Sequence, residues 1–446
     1  MNDATAAIDE PRLINRMGWR LMPLLGVLYL VAYIDRSNIA FAKLQMLGSL
    51  GLSEVAYGLG ASLFFIGYLL FEVPSNVLLH KYGAPRWMAR IMFTWGVVTI
   101  LLAFTRNATM FYILRFLLGA SEAGLYPGVI YYLTLWFPQR HRVRMLGYFT
   151  VGSSLGNMIG APICGWLLDK GGLFGLQGWQ LVFVVTGIPS VLLTIVVLFL
   201  LPQAPQQAKF LSEGEKRWLT HTLSTESAAA RSRARHGSVL SVFTERRVLG
   251  MAFYYMMLSI SVYGVSYWLP TLVKGFGVTN TTNGLLNIIP WLLATIVLAT
   301  LPSRLRASNH ATVAMLVSSL LGMVFFVSSV FLPGHALRFA ALCLGAPCMY
   351  LLIPCFWTLP PKFLYGARAA AGIAAINSLG NIGGFIAQNL VPFVKQATGS
   401  TRMPMLVPAA CMVIFAIVTA MILRRGDGGN RTPQTVDGTP LPNNAR

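Results

Sequence analysis

Two acids and two bases stand where the surrounding sequence makes charge expensive: Asp35 and Arg36 in one apolar run, Arg115 and Glu122 in another. A fifth ionisable residue, Glu72, lies just before Pro74 towards the end of a third run. A charge at the centre of a lone helix in hydrocarbon costs at least ~2.5–3.5 kcal/mol, so each needs a partner, a wet cavity or both. An arginine in such a place can hold an anion, and a carboxylate can take and release a proton. Burial raises a carboxylate's affinity for a proton, and a nearby arginine lowers it. An anion that claims the arginine therefore makes the neighbouring carboxylate easier to protonate, a physical route to moving an anion and a proton together. The competing reading, ion pairs that only fix helix register, uses the same four residues. Glu72, set at the end of its run, is read as structural.

Spacing says how these groups sit. Arg115 and Glu122 are seven residues apart, two helical turns, so they share a face about 10 Å apart along the axis. Asp35 and Arg36 are adjacent and point about 100° apart, so one can face a cavity while the other faces a neighbouring helix. The second half of the chain has no counterpart charges: under a shift of 224 positions Glu122 falls on Ala346 and Arg115 on Phe339. It offers neutral groups instead: Asn377, Ser378 and Asn381 in one run, Trp357 and Thr358 in another, Tyr263 and Tyr267 in a third. Asn377 and Asn381 share a helical face, and Gly380, Gly383 and Gly384 around them are read as close helix packing.

The elements that must position these residues follow from composition. Hydrophobic residues make up 55% of 446 positions and charged ones 11%, against roughly a quarter charged in soluble chains. The apolar residues fall in runs of about 18–25, enough to span a ~30 Å hydrocarbon core. Reading them as spans gives twelve: 20–41, 56–79, 87–105, 109–137, 144–168, 179–201, 248–273, 284–301, 311–332, 338–359, 369–394 and 404–423. The fold class is an all-α membrane protein of twelve transmembrane helices in two pseudo-symmetric six-helix bundles. Residues 1–19 form a leader, 20–201 the first bundle, 202–247 a polar linker, 248–423 the second bundle and 424–446 a disordered tail. No cleavable signal peptide is read before the first run.

Of the 34 Lys and Arg residues, 25 fall on the side of the termini and linker and seven on the other, among them Lys43 and Lys395. By the positive-inside rule both termini are expected in the cytoplasm, and the chain in the cell (inner) membrane. The 224-position shift also aligns Ser154-Leu155-Gly156-Asn157 with Ser378-Leu379-Gly380-Asn381, and Tyr126 with Tyr350. It sets span 5 on span 11 and span 4 on span 10, as a six-plus-six duplication requires, and such repeats are how many secondary transporters rock around one midplane site. The net charge of +20 does not mark a nucleic-acid binder, because the basic residues lie in short clusters between apolar runs. The five cysteines lack metal-ligand spacing with histidine. The six histidines (His80, His141, His221, His236, His310 and His335) are loop or edge residues, against an intramembrane enzyme. The linker is too short and polar for a signalling domain.

Several motifs in the right order resemble the major facilitator superfamily, and more narrowly its anion:cation symporter family, over nearly all of residues 12–425. They are Tyr33-Ile34-Asp35-Arg36-Ser37-Asn38, Phe71-Glu72-Val73-Pro74-Ser75-Asn76, Arg115 through Gly124, Tyr267-Trp268-Leu269-Pro270 and Asn377-Ser378-Leu379-Gly380-Asn381. The resemblance implies proton-handling roles for Asp35 and Glu122, substrate contact for Arg36 and membership of the same network for Arg115. It also implies, by position, that Tyr68, Ser153 or Asn157, and Asn377 line the substrate site, with Trp357 and Asn381 as further candidates from the neutral set above. The chain departs from the superfamily pattern between spans 2 and 3, where Asn76 to Arg86 lacks the usual acid; Glu72 is its expected stand-in. Similar members import tartrate, aldonates, keto-aldonates, phthalate or hydroxyphenylacetate. The expectation is proton-coupled uptake of a small organic anion by a monomer in the lipid bilayer, with no cofactor and H+ as the coupling ion. The rival within transport is an efflux antiporter for amphipathic compounds.

Overall fold

The computed structural model describes residues 8–233, 244–301, 308–360 and 367–428. They form fourteen α-helices: α1 (Glu10–Leu50), α2 (Glu54–Tyr82), α3 (Ala84–Leu102), α4 (Ala108–Glu122), α5 (Leu125–Trp136), α6 (Gln139–Asp169), α7 (Gly178–Leu200), α8 (Glu213–Arg233), α9 (Arg246–Lys274), α10 (Asn280–Thr300), α11 (Ser308–Phe331), α12 (His335–Phe356), α13 (Ala367–Thr398) and α14 (Leu406–Gly428). Ten segments are long and apolar enough to cross a membrane, with α4 and α5 together forming one of them. The less apolar α3 and α13 complete the twelve: α3 lies against α4 and α7, and α13 against α2 and α9. In lipid every backbone polar group must be satisfied within the chain, which is why the spans are built of helices.

Helices α1–α7 form one bundle and α9–α14 the other. They meet along α6 against α10, α2 against α13, and α1 against α9. Spans 5 and 8, and 2 and 11, are the two pairs that the 224-residue repeat relates to each other. Where α6 crosses α10 the backbones touch. A methyl group on Gly284 would lie 2.5 Å from the Ala161 carbonyl oxygen, and one on Gly165 would lie 2.4 Å from that of Asn280. Only glycine permits that approach.

Three boundaries differ from expectation. The leader is helical from Glu10, because Asp9 caps the Arg12 N–H at 3.1 Å and the extra turns dock on polar partners: Arg16 pairs with Glu215 and Glu10 with Arg140. The linker likewise holds α8, tied back to the first bundle by Glu226, which accepts from Arg142 at 3.0 Å and from the Gln139 N–H. The expected loop between spans 2 and 3 shrinks to Gly83, whose φ of +87° ends α2 and lets α3 begin at once. The remainder of the linker, 234–243, and the tail from 429 lie outside the described residues.

Candidate functional site

Span 4 is broken where its acid sits. Helix α4 ends at Glu122, and α5 starts after Gly124, which adopts φ +93°. Pro127 has no N–H to give the Ala123 carbonyl, and the Ser75 hydroxyl on α2 donates to that carbonyl instead, at 2.7 Å. Ser75 in turn accepts from the Trp87 indole at 2.9 Å. The break sends the Glu122 side chain across to α1, where Arg36 Nε donates to its Oε1 at 2.7 Å. The Arg36 side chain is 13% exposed and that of Glu122 only 1%. Glu122 Oε2 is buried and has no hydrogen-bond partner among the described residues. Three rings surround the guanidinium, with centroids at 5.2 Å (Tyr33), 5.8 Å (Phe64) and 5.9 Å (Tyr68). Such faces attract a cation without neutralising it.

Arg115 and Glu122 share a face but do not pair. Arg115 turns to α2, donating to the Ala61 carbonyl at 3.1 Å, with its guanidinium carbon 5.1 Å from the Phe64 centroid. Asp35 faces away from Arg36, as adjacency requires, into the first bundle. Its carboxylate accepts from Asn38 (2.7 Å), Trp95 and Thr99 (2.9 Å). None of the last three residues was singled out in sequence; Asn38 alone carried a signal, one turn after Asp35 inside a motif.

A cavity with about 60 Å³ of free space lies between the bundles. The first half lines it with Tyr33, Arg36, Ser37 and Asn157, and the second with Tyr255, Ser259, Tyr263, Ser266, Tyr267, Tyr350 and Asn381 among others. Asn157 and Asn381, partners under the 224-residue shift, thus meet on one cavity, and Asn157 Nδ2 lies 3.5 Å from the Tyr350 hydroxyl. Several predicted residues stand elsewhere. Tyr68 lies beneath the Arg36 guanidinium. Ser153 donates to the Thr150 carbonyl of its own helix at 2.7 Å. Trp357 packs on Tyr255 and Phe356, with centroids at 5.1 and 5.3 Å. Asn377 stands beside Glu72, whose carboxylate also accepts from Ser378 at 2.6 Å. Glu72 thereby joins α2 to α13 across the two halves. Tyr263 and Tyr267 are among the neutral groups the sequence offers, whereas Tyr255, Ser259 and Ser266 carry no charge or motif, so sequence reasoning had little to find them by.

The cavity is shut on the side away from the termini. Lys43 is not a loop charge: it is 2% exposed, because α1 continues to Leu50. Its Nζ sits 3.0 Å from the Trp268 ring centroid on α9 and 3.9 Å from Glu54. Glu54 also pairs with Lys395 on α13. Asp169, at the end of α6, accepts from the Asn280 amide, the Thr281 N–H and the Thr281 hydroxyl on α10, each at 2.7 Å. A sequence signal for Lys43 existed: it lies seven residues after Arg36, on the same face of α1.

Comparison with known proteins agrees with this architecture. Residues 25–388 match the family model described as Major Facilitator Superfamily. A "Quinolone resistance transporter" of Acinetobacter baumannii is 40% identical over 414 residues, covering 93% of this chain and 95% of that protein. A "Putative tartrate transporter" of Agrobacterium vitis is 38% identical, covering 95% and 98%. The "Putative metabolite transport protein NicT" of Pseudomonas putida is 38% identical, covering 90% and 92%. Among solved structures, a bacterial homologue of the human lysosomal transporter Spinster, inward-facing and unoccupied, superposes with a TM-score of 0.73 at 16% identity, covering 92% of this chain and 98% of that one.

Proposed function

The chain belongs to the major facilitator superfamily, a multi-pass membrane transporter and not an enzyme, and we propose that it imports a small organic anion by proton symport and alternating access. The observation that carries this reading is the Arg36–Glu122 pair at the edge of the central cavity. A carboxylate arriving from the cavity competes with Glu122 for the guanidinium. Glu122, once displaced, is a buried carboxylate without a counter-ion, and takes a proton to avoid that cost. Anion and proton are then bound together, and both leave together when the pair re-forms. Asp35 is the second proton-handling group, and Arg115 supports the network from behind. The hydroxyls and amides of the second half (Tyr263, Tyr267, Asn381) read the rest of the substrate.

Orientation and energetics fit the same proposal, with both termini cytoplasmic in an inner membrane and one monomer as the working unit. Moving one negative charge inward against the membrane potential costs about 2.3 kcal/mol per 100 mV; one accompanying proton removes that cost for a monoanion. The relatives named for tartrate and metabolite transport support an organic anion.

One observation favours a second reading. The relative named for quinolone resistance supports export of an aromatic compound through the same tyrosine-lined cavity. Purified protein in proteoliposomes under an imposed pH gradient separates the two. Symport predicts that tartrate or nicotinate accumulates in vesicles whose lumen is alkaline, and that Glu122→Gln abolishes gradient-driven accumulation. Export predicts accumulation of a fluoroquinolone in acid-loaded vesicles, with tolerance of Arg36→Ala. Gradient-driven anion uptake that survives Glu122→Gln would refute the coupling role of Glu122.

A further inference from the structure

The Asp35 carboxylate is enclosed at 1% exposure, and among the described residues it has no ion-pair partner. Instead it accepts three hydrogen bonds, Oδ1 from Asn38 Nδ2 and Oδ2 from the Trp95 indole and the Thr99 hydroxyl. The ionisable groups that face it are Arg115 and Glu122 from α4 and Cys164 from α6. From α3 and α7 only neutral partners approach it, and α9 presents tyrosines to the neighbouring Arg36. Three donors suit an ionised carboxylate. A protonated one has an O–H of its own and needs an acceptor among the same three groups.

One of the three cannot supply it, and a second can only by a wider rearrangement. An indole N–H donates only. The Asn38 amide can in principle turn its oxygen round, but its orientation is pinned. Asn38 Nδ2 also donates to Thr186 Oγ1 at 2.9 Å, and the Thr186 hydroxyl is committed to the Val182 carbonyl at 2.7 Å. A turned amide would also require the Thr186 hydroxyl to leave the Val182 carbonyl and donate to Asn38, so two groups must rearrange together. Thr99 is different, because a hydroxyl both donates and accepts and its hydrogen rotates freely. It lies on a helix, where a threonine hydroxyl can give its hydrogen to the carbonyl four residues back, that of Trp95.

We propose that Thr99 is the positioning residue for the proton on Asp35, its hydroxyl reversing from donor to acceptor as the carboxylate is protonated. In that step a proton joins Asp35 Oδ2, the Thr99 hydrogen swings to the Trp95 carbonyl, and Oδ2–H donates to Thr99 Oγ1; no other bond changes. The reverse sequence releases the proton. The three-donor cage holds the ionised form without a cation, and Thr99 makes the cage two-state rather than permanently basic or permanently acidic. This inference rests on the proton-handling role given to Asp35 above.

The test is infrared difference spectroscopy of the purified, reconstituted protein across a pH titration. The Asp35 band is the protonated-carboxyl stretch that disappears in Asp35→Asn. Removing the hydroxyl with Thr99→Val takes a bond from the charged form that is stronger than the one it takes from the neutral form. The midpoint of the band is therefore expected to rise by roughly one pH unit, with its frequency shifted because the O–H has lost its acceptor. Thr99→Ser, which keeps the hydroxyl, is expected to titrate like the parent. Thr99→Ala is a second hydroxyl-free variant should the valine fail to fold. An unmoved midpoint in the hydroxyl-free variants, a serine variant that shifts as far as valine, or no Asp35 band at any pH the protein tolerates would each overturn the proposal. Failure of the symport reading is distinguishable: there the band titrates and moves as described while uptake ignores the imposed gradient.

Discussion

The crossing of α6 and α10 offers a perturbation that acts on conformation rather than on chemistry. Alanine at Gly284 places a methyl 2.5 Å from the Ala161 carbonyl oxygen and 2.9 Å from Pro162 Cα. Both obstacles are backbone, so no side chain can swing aside, and the helices must separate by roughly 1 Å or accept strain. Overpacking of this kind costs about 1–3 kcal/mol. The crossing joins the two halves, so the strain is relieved if the closed side opens, at the expense of the three hydrogen bonds that Asp169 accepts from α10. A bias of 1–3 kcal/mol corresponds to about a 5- to 150-fold shift between states. Spin labels at Arg106 and Thr401, in the loops α3–α4 and α13–α14 on that side, would read it as a longer distance population in Gly284→Ala. Gly119→Ala is the contrast. Its methyl would sit 1.9 Å from the Phe64 carbonyl oxygen between α4 and α2, inside one bundle, where opening gives no relief. It is expected to lower thermal stability without lengthening the label distance. If Gly284→Ala keeps the short distance and loses stability as Gly119→Ala does, the crossing is not a hinge between states and the reasoning fails.

Glu54→Gln removes the acid shared by Lys43 and Lys395; because Glu54 and Lys395 are about a quarter exposed, the loss of closure is set at up to ~1 kcal/mol rather than the value for a fully buried pair. The same label pair is expected to show a roughly fivefold or smaller rise in the open population, and less of it as salt increases in the parent. Ser75→Ala strips the Ala123 carbonyl and the Trp87 indole of their partner at the break in span 4. It should cost about 1–3 kcal/mol, measured as a lower unfolding midpoint in detergent, and it weakens anion binding because the break aims Glu122.

How much of this could be read from the chain alone differs by level. The long apolar runs announced the spans, because hydrocarbon excludes unpaired backbone and leaves the helix as the answer. The 224-residue repeat placed the two bundles, and the cost of charge in hydrocarbon picked out Asp35, Arg36, Arg115 and Glu122. Adjacency also foretold that Asp35 and Arg36 would face different surroundings. Tertiary structure decided who meets whom. Arg36 takes Glu122 from 86 positions away, although Arg115 shares the acid's own helical face. Glu72 reaches Ser378 across 306 positions. Lys43, counted as a loop charge, is buried on Trp268. On the cavity's far wall Tyr263 and Tyr267 stood out as neutral groups, but Tyr255, Ser259 and Ser266 belong to no pattern. The physical reason is common to all of these. In a soluble protein the apolar side of a helix says which way it faces, but a membrane helix is apolar towards lipid and partner alike. Its orientation is settled by shape instead, by glycines that admit a backbone, a break that turns an acid, and three hydrogen-bond donors that converge on one carboxylate from two helices.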